Sequence, residues 1–125
     1  MLQKLGLIAL AGSAGTLARY WMSGFVYDHF GRNFPWGTAM VNILGCFLFG
    51  LVWEMGEGRM LIRAETRTII LTGFMGAFTT FSTFIFESGG YLEDGRYLAA
   101  LANVGFQTVV GFGALFAGLM LGRML

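Results

Sequence analysis

The chain has 125 residues, 56% of them hydrophobic and only 12% charged, with a formal net charge of +1. Soluble domains carry roughly 25% charge, so this deficit, with a mean hydropathy of +0.68, points to an integral membrane protein. A charge so near zero excludes the basic footprint of a nucleic-acid binder. The single Cys46 excludes an intrachain disulfide or a thiolate metal cluster, and a lone His29, expected in a loop, leaves no histidine-based metal or catalytic site.

Apolar runs bounded by charged clusters predict four transmembrane helices, over Leu2–Val26, Trp36–Met55, Thr66–Gly89 and Tyr97–Leu121. Each is near or above the ~20 residues that cross a bilayer. The connections, Tyr27–Pro35, Gly56–Glu65 and Gly90–Arg96, are short. The expected fold is therefore one all-α, four-helix transmembrane domain over residues 1–125, with no soluble domain. Twenty glycines against one proline suit helices whose backbones approach closely in lipid.

The first span begins with Lys4 and LGLIALAGSAG, the layout of a signal peptide. The apolar stretch runs on past the small residues and three more spans follow, so a membrane helix is the expectation. Ala11, Gly12 and Gly15 form a small-residue packing face. Arg19 either snorkels to the interface or marks a polar pathway, and Tyr20 and Trp21 beside it fit an interfacial belt. Pro35 is placed to open the second helix. Within that helix Thr38, Asn42 and Cys46 recur every four residues and share a face. Asn42 is read as a pore-lining donor or as an interhelical hydrogen-bonding residue. The loop that follows is a solvated, mixed-charge turn.

The third span contains GFMGAFTTFSTF, Gly73 to Phe84. Glycines and β-branched threonines are a poor prescription for a regular helix. Interrupted helices survive at membrane depth only where they are buried in protein or line a polar cavity. A break over Gly76–Thr80 is therefore expected, and with it an ion site. Freed carbonyls suit a hard cation, and the N-terminus of the following half-helix suits an anion. Phe81 and Phe84, three apart, share a face, and aromatic ring edges are positive. Ser82 and Thr83 offer hydroxyl donors. On the residues alone, the favoured reading is that the rings are lipid-facing filler and the hydroxyls bond back to their own helix. Glu87, near the end of the span, is an interfacial carboxylate or the mouth of a polar track.

In the fourth span Asn103, Gln107 and Gly111 fall on one face. Such amides line water or meet partners. Ala114, Gly118 and Gly122 form a small-residue ridge for helix packing or dimerisation. The termini and second loop share Lys4, Arg59, Arg63, Arg67 and Arg123, against Arg32 and Arg96 on the other side. Positive-inside logic favours cytoplasmic termini, but the bias is small enough to leave both orientations populated.

GFMGAFTTFSTF resembles the third-helix signature of the Fluc (CrcB) fluoride channel family, GF-x-GG-x-TTFSTF. GSAGTLARY in the first span, GTAMVNILGCFLFG in the second and Asn103-Val104 in the fourth extend the resemblance over all four spans in the family's order. The resemblance implies an antiparallel, dual-topology homodimer in the inner (plasma) membrane, with two fluoride pores and passive fluoride efflux that confers fluoride resistance. It further implies a structural sodium ion at the dimer centre, held by backbone carbonyls of Gly76 and Thr79 from both subunits. It assigns Phe81, Phe84, Asn42, Ser82 and Thr83 to the fluoride pore and matches Arg19 to the family's first-helix arginine. Asn103, Gln107, Glu87 and Thr38 are then expected along a polar track. Ala77, Phe78, Gln107 and Gly111 depart from the family's usual glycine, leucine, serine and serine. A proton-coupled small multidrug transporter shares the size and topology, but it needs an embedded carboxylate and the first span has none. No nucleophile–base pair or ligand cluster suggests an enzyme.

Overall fold

The computed structural model describes residues Met1–Leu125, and every regular element is helical. Helix α1 (Leu2–Phe30) is followed by α2 (Trp36–Trp53), which continues as a wider π-helical turn over Glu54–Gly58. The third span is assembled from α3 (Ala64–Thr68), a π-helical segment (Ile69–Met75), α4 (Gly76–Phe78) and α5 (Phe81–Glu93). Helix α6 (Tyr97–Met124) closes the chain. Trp36–Gly58, Ala64–Glu93 and Tyr97–Met124 are each long and apolar enough to cross a membrane. Helix α1 has the length, but Gln3, Lys4, Arg19 and its small residues keep it less apolar than the other three.

Helix ends overrun the sequence-based boundaries. Tyr27 to Phe30, expected in a loop, complete α1, and His29 sits in its last turn with Nδ1 2.8 Å from Phe25 O. The π-helical turn carries α2 through Glu57, and α5 runs on to Glu93. Charged residues at these ends pair with one another instead of marking loops. Arg67 pairs with Glu57 and lies over the Trp53 ring, 4.8 Å from its centroid, and Arg123 reaches Glu54 at 3.7 Å. Pro35 is the residue preceding α2 rather than its first turn.

Polarity is arranged inside out. Leu98 and Phe86 are both 80% exposed, whereas Asn103 is fully buried and Thr38, Thr80, Ser88 and Gln107 are buried with it. Large contiguous apolar surface is foreign to a soluble monomer and is what lipid solvates. Apolar burial from water therefore does not select the partner helices, and close backbone approach does. Helix α2 packs chiefly on α6, where a Cβ on Gly118 would meet the backbone of Phe47 and Leu51. Helix α1 packs on the π-helical segment and α4, where Gly73 lies against Ile8 and Ala11. Both small-residue faces read from the sequence are thus used for packing within the chain.

Candidate ion site at the third-helix break

The third span leaves helical geometry at two residues, Thr79 (φ −88°, ψ 158°) and Thr80 (φ −146°, ψ 108°). Gly76 is helical (φ −60°, ψ −30°) and belongs to α4, so the break is narrower than the Gly76–Thr80 expected. The reason lies in how its backbone is satisfied. Asn42 of α2 accepts from Thr80 N–H through Oδ1 (2.8 Å) and donates to Thr80 O through Nδ2 (3.1 Å). One side-chain amide stands in for both helical partners of Thr80, so the break needs no further unwinding to satisfy that residue. Thr80 also opens the next helix, its Oγ1 accepting from Thr83 N–H at 3.3 Å, the usual service of a threonine N-cap.

These diversions release two carbonyls. The Thr80 N–H that would close a helical turn on Gly76 O goes to Asn42, and the Thr83 N–H that would close one on Thr79 O goes to Thr80 Oγ1. Both Gly76 and Thr79 line an open cleft of about 410 Å³. Oxygens without helical partners beside a cavity are the donor set a hard cation takes. The two carbonyls expected to hold sodium therefore fit that ion chemically.

Asn42 continues into a buried polar chain. Its Nδ2 also donates to Gln107 Oε1 (2.8 Å), Gln107 Nε2 donates to Asn103 Oδ1 (2.8 Å), and Asn103 Nδ2 donates to Ser88 Oγ (2.9 Å). Ser88 in turn donates to Phe84 O at 2.8 Å. Helices α2, α5 and α6 are thereby joined through amides, each buried polar group meeting another as a low-dielectric interior demands. Both N–H bonds of Asn42 are engaged by the protein, whereas Gln107 keeps one N–H beyond its bond to Asn103.

The expected site residues divide between two clefts. The 410 Å³ cleft takes Asn42, Phe81, Phe84 and Gln107 with the Gly76–Thr79 turn. The rings of Phe81 and Phe84 lie 5.9 Å apart and tilted by 51°; Phe84 is 9% exposed and Phe81 75%. A second cleft of about 340 Å³, on the α1 side of α5, takes Arg19, Thr38, Thr80, Thr83 and Glu87. Asn103 lies in the polar chain instead of either cleft. Ser82 is exposed, with its Oγ 3.4 Å from Thr80 Oγ1. At the far end of the second cleft Glu87 Oε1 accepts from Thr38 Oγ1 (2.8 Å) and from Tyr27 OH (3.2 Å), while Oε2 is buried without a partner.

Sequence reading missed three residues here. The sequence places Thr80 in a break but does not mark it as the cap of α5, and Ser88 carries no signal of its own. Tyr27 falls in the expected first loop, yet Arg19, Ser23 and Tyr27 recur every four residues on one face of α1, a periodicity that marks the wall of the second cleft.

The family described as CrcB-like protein, Camphor Resistance (CrcB) matches residues 6–119. A protein of Solidesulfovibrio magneticus named "Fluoride-specific ion channel FluC" is 78% identical over 125 residues, covering all of both chains. One of Nitrosococcus oceani with the same name is 51% identical over 125 residues, again covering both chains fully. One of Methylococcus capsulatus, also so named, is 44% identical over 122 residues, which are 98% of this chain and 54% of that protein. With its spanning helices, this is a multi-pass membrane protein.

Proposed function

The chain belongs to the CrcB family, and from that premise we propose that it is a fluoride-selective channel through which cytoplasmic fluoride leaves the cell passively, conferring fluoride resistance. The observation that supports this most directly is the two-residue break at Thr79–Thr80, held by Asn42 beside an exposed Phe81. Nothing in it transforms a substrate; a channel of this kind is not an enzyme.

The working unit is an antiparallel homodimer in the inner membrane, with all four helices, α1 included, crossing it. The surface of one chain supports this. Gly76 and Phe81 are exposed beside released carbonyls, and bare backbone oxygens cannot face hydrocarbon. A second copy over the open cleft covers them, doubles the carbonyl set to four oxygens, and completes a wall around the Phe81 ring. A sodium ion held there by Gly76 and Thr79 of both chains would fix two broken helices against each other through hard-cation coordination. Phe81 and Phe84 present positive ring edges to an anion without a formal charge to trap it. Gln107 supplies an amide N–H where hydroxyls are usual, and the Thr83, Thr38 and Arg19 cleft gives further donors.

Purified protein in liposomes loaded with fluoride tests the reading. Fluoride should leave rapidly once a counter-ion pathway is opened, with chloride retained under the same conditions. Equal flux of the two anions, or none, would refute it.

A further inference from the structure

The last turn of helix α1 opens with a residue that no role above has absorbed. Tyr27 is half-buried, and its side chain borders three clefts at once. Inward lies the donor-rich cleft with Arg19, Thr80 and Thr83. Outward lie a cleft of about 400 Å³ bordered by Arg32 and Asp94 and another of about 470 Å³ bordered by Tyr20 and Trp21. Resting on the channel reading, we infer that Tyr27 is the outer gate of the anion path: its ring partitions the inner cleft from the bundle's outer mouth, and its hydroxyl latches that ring shut.

The latch is visible as geometry. Tyr27 OH lies 3.2 Å from Thr38 Oγ1 and donates to Glu87 Oε1 at 3.2 Å, tying α1 to α2 and α5 across the cleft. The ring is seated in a notch opened by Gly37, where a Cβ would come within 2.5 Å of Cε2 and 2.8 Å of Cδ2. The Arg32 guanidinium lies over the ring from the mouth, 4.9 Å from the centroid, at the distance of a cation–π contact. Both contacts hold the ring across the passage. Glu87 is the other side chain shared by the inner and Arg32 clefts, and its carboxylate opposes an anion at the same point. With the latch closed, Tyr27 and Thr38 spend their O–H donors on that carboxylate. An anion arriving from the inner cleft competes for those donors. When Tyr27 turns toward it, the ring leaves the passage and the hydroxyl follows the ion outward.

The gate is tested on full-length protein in liposomes with Y27F, which keeps the ring and removes the latch. Fluoride efflux should rise about tenfold, a factor corresponding to ~1.4 kcal/mol, within the net range of a single intramolecular hydrogen bond. Y27W should slow efflux by blocking the same opening. A second readout does not depend on conduction: in a C46A background, T83C should react faster with a membrane-impermeant thiol reagent when Y27F is also present. Unchanged or lower efflux and unchanged T83C labelling in Y27F would overturn the gate. Wild-type protein that passes no fluoride would overturn the channel reading, while the labelling comparison still decides the gate.

Discussion

Replacing Asn42 with leucine keeps the side chain's heavy-atom count and branch point while deleting all three hydrogen bonds it makes at the break. Three groups lose their partner: Thr80 N–H, Thr80 O and Gln107 Oε1. In water-soluble proteins a buried orphan costs about 1–3 kcal/mol. Between membrane helices side-chain hydrogen bonds average only ~0.6 kcal/mol, with a ceiling near 1.7, because the released groups find other partners. Which figure applies depends on whether the orphan can move. Gln107 rotates freely enough to sit near the lower value. Thr80 is 8% exposed and its backbone is fixed in an extended conformation, so its two groups belong near the ceiling. The sum is about 4 kcal/mol for N42L. Q107L, which strands only side-chain groups on Asn42 and Asn103, should lose about 1–2 kcal/mol by the same reasoning. SDS-driven unfolding in mixed micelles, followed through the three tryptophans, measures both. If N42L loses under ~1 kcal/mol, or no more than Q107L, Asn42 does not hold the break and the reasoning fails.

Three further outcomes are expected. Phe81→Ile and Phe84→Ile should both abolish most fluoride flux, but only the second should lower unfolding stability, by about 1 kcal/mol, since Phe84 is buried and Phe81 exposed; unchanged flux in both returns the rings to filler. Gly118→Ala should cost about 2 kcal/mol because its methyl meets the α2 backbone, while Gly113→Ala, with open space around it, should be neutral or gain a few tenths, as alanine is the better helix residue. The same micelle titration reads both, and equal effects would deny the close α2–α6 approach. Replacing sodium by a bulky organic cation throughout preparation should reduce fluoride flux and shift the dimer toward single chains in cross-linking; full flux without sodium would remove the ion from the Gly76–Thr79 site.

The position of the break was legible because GFMGAFTT is locally hostile to a helix, whatever surrounds it. Its length was not. Gly76 tolerates helical geometry, and what stops the unwinding at Thr79 and Thr80 is an amide 38 positions before Thr80 in the chain, a contact no local pattern encodes. The shared face of Asn103, Gln107 and Gly111 was legible from spacing, while the hand-to-hand order from Asn42 to Ser88 required knowing which helices touch. The resemblance assigns Phe81, Ser82, Thr83 and Phe84 to one pore without separating their faces. On α5, Phe81, Phe84 and Ser88 form one stripe, and Thr80, Thr83 and Glu87 form the same spacing shifted by one residue. That shift is about 100° around the helix, enough to put rings and hydroxyls into different clefts. Tyr27 was hidden by its neighbours, since Asp28, His29 and Arg32 mimic a loop, whereas in the fold they decorate the last turn of a helix and its exit.

The clasp between Asn42 and Thr80 also orders events in time. A ribosome adding ~5–20 residues per second delivers the break about 2–8 s after the amide that will satisfy it, 38 residues upstream. The vulnerable peptide groups thus enter the bilayer with their partner already there. Gln107 and Asn103 arrive later, on the last helix, and fasten the pair from behind. A version of the chain with the second and third helices exchanged in order would have the same contacts available when finished, yet would expose the bare break to lipid while it waited.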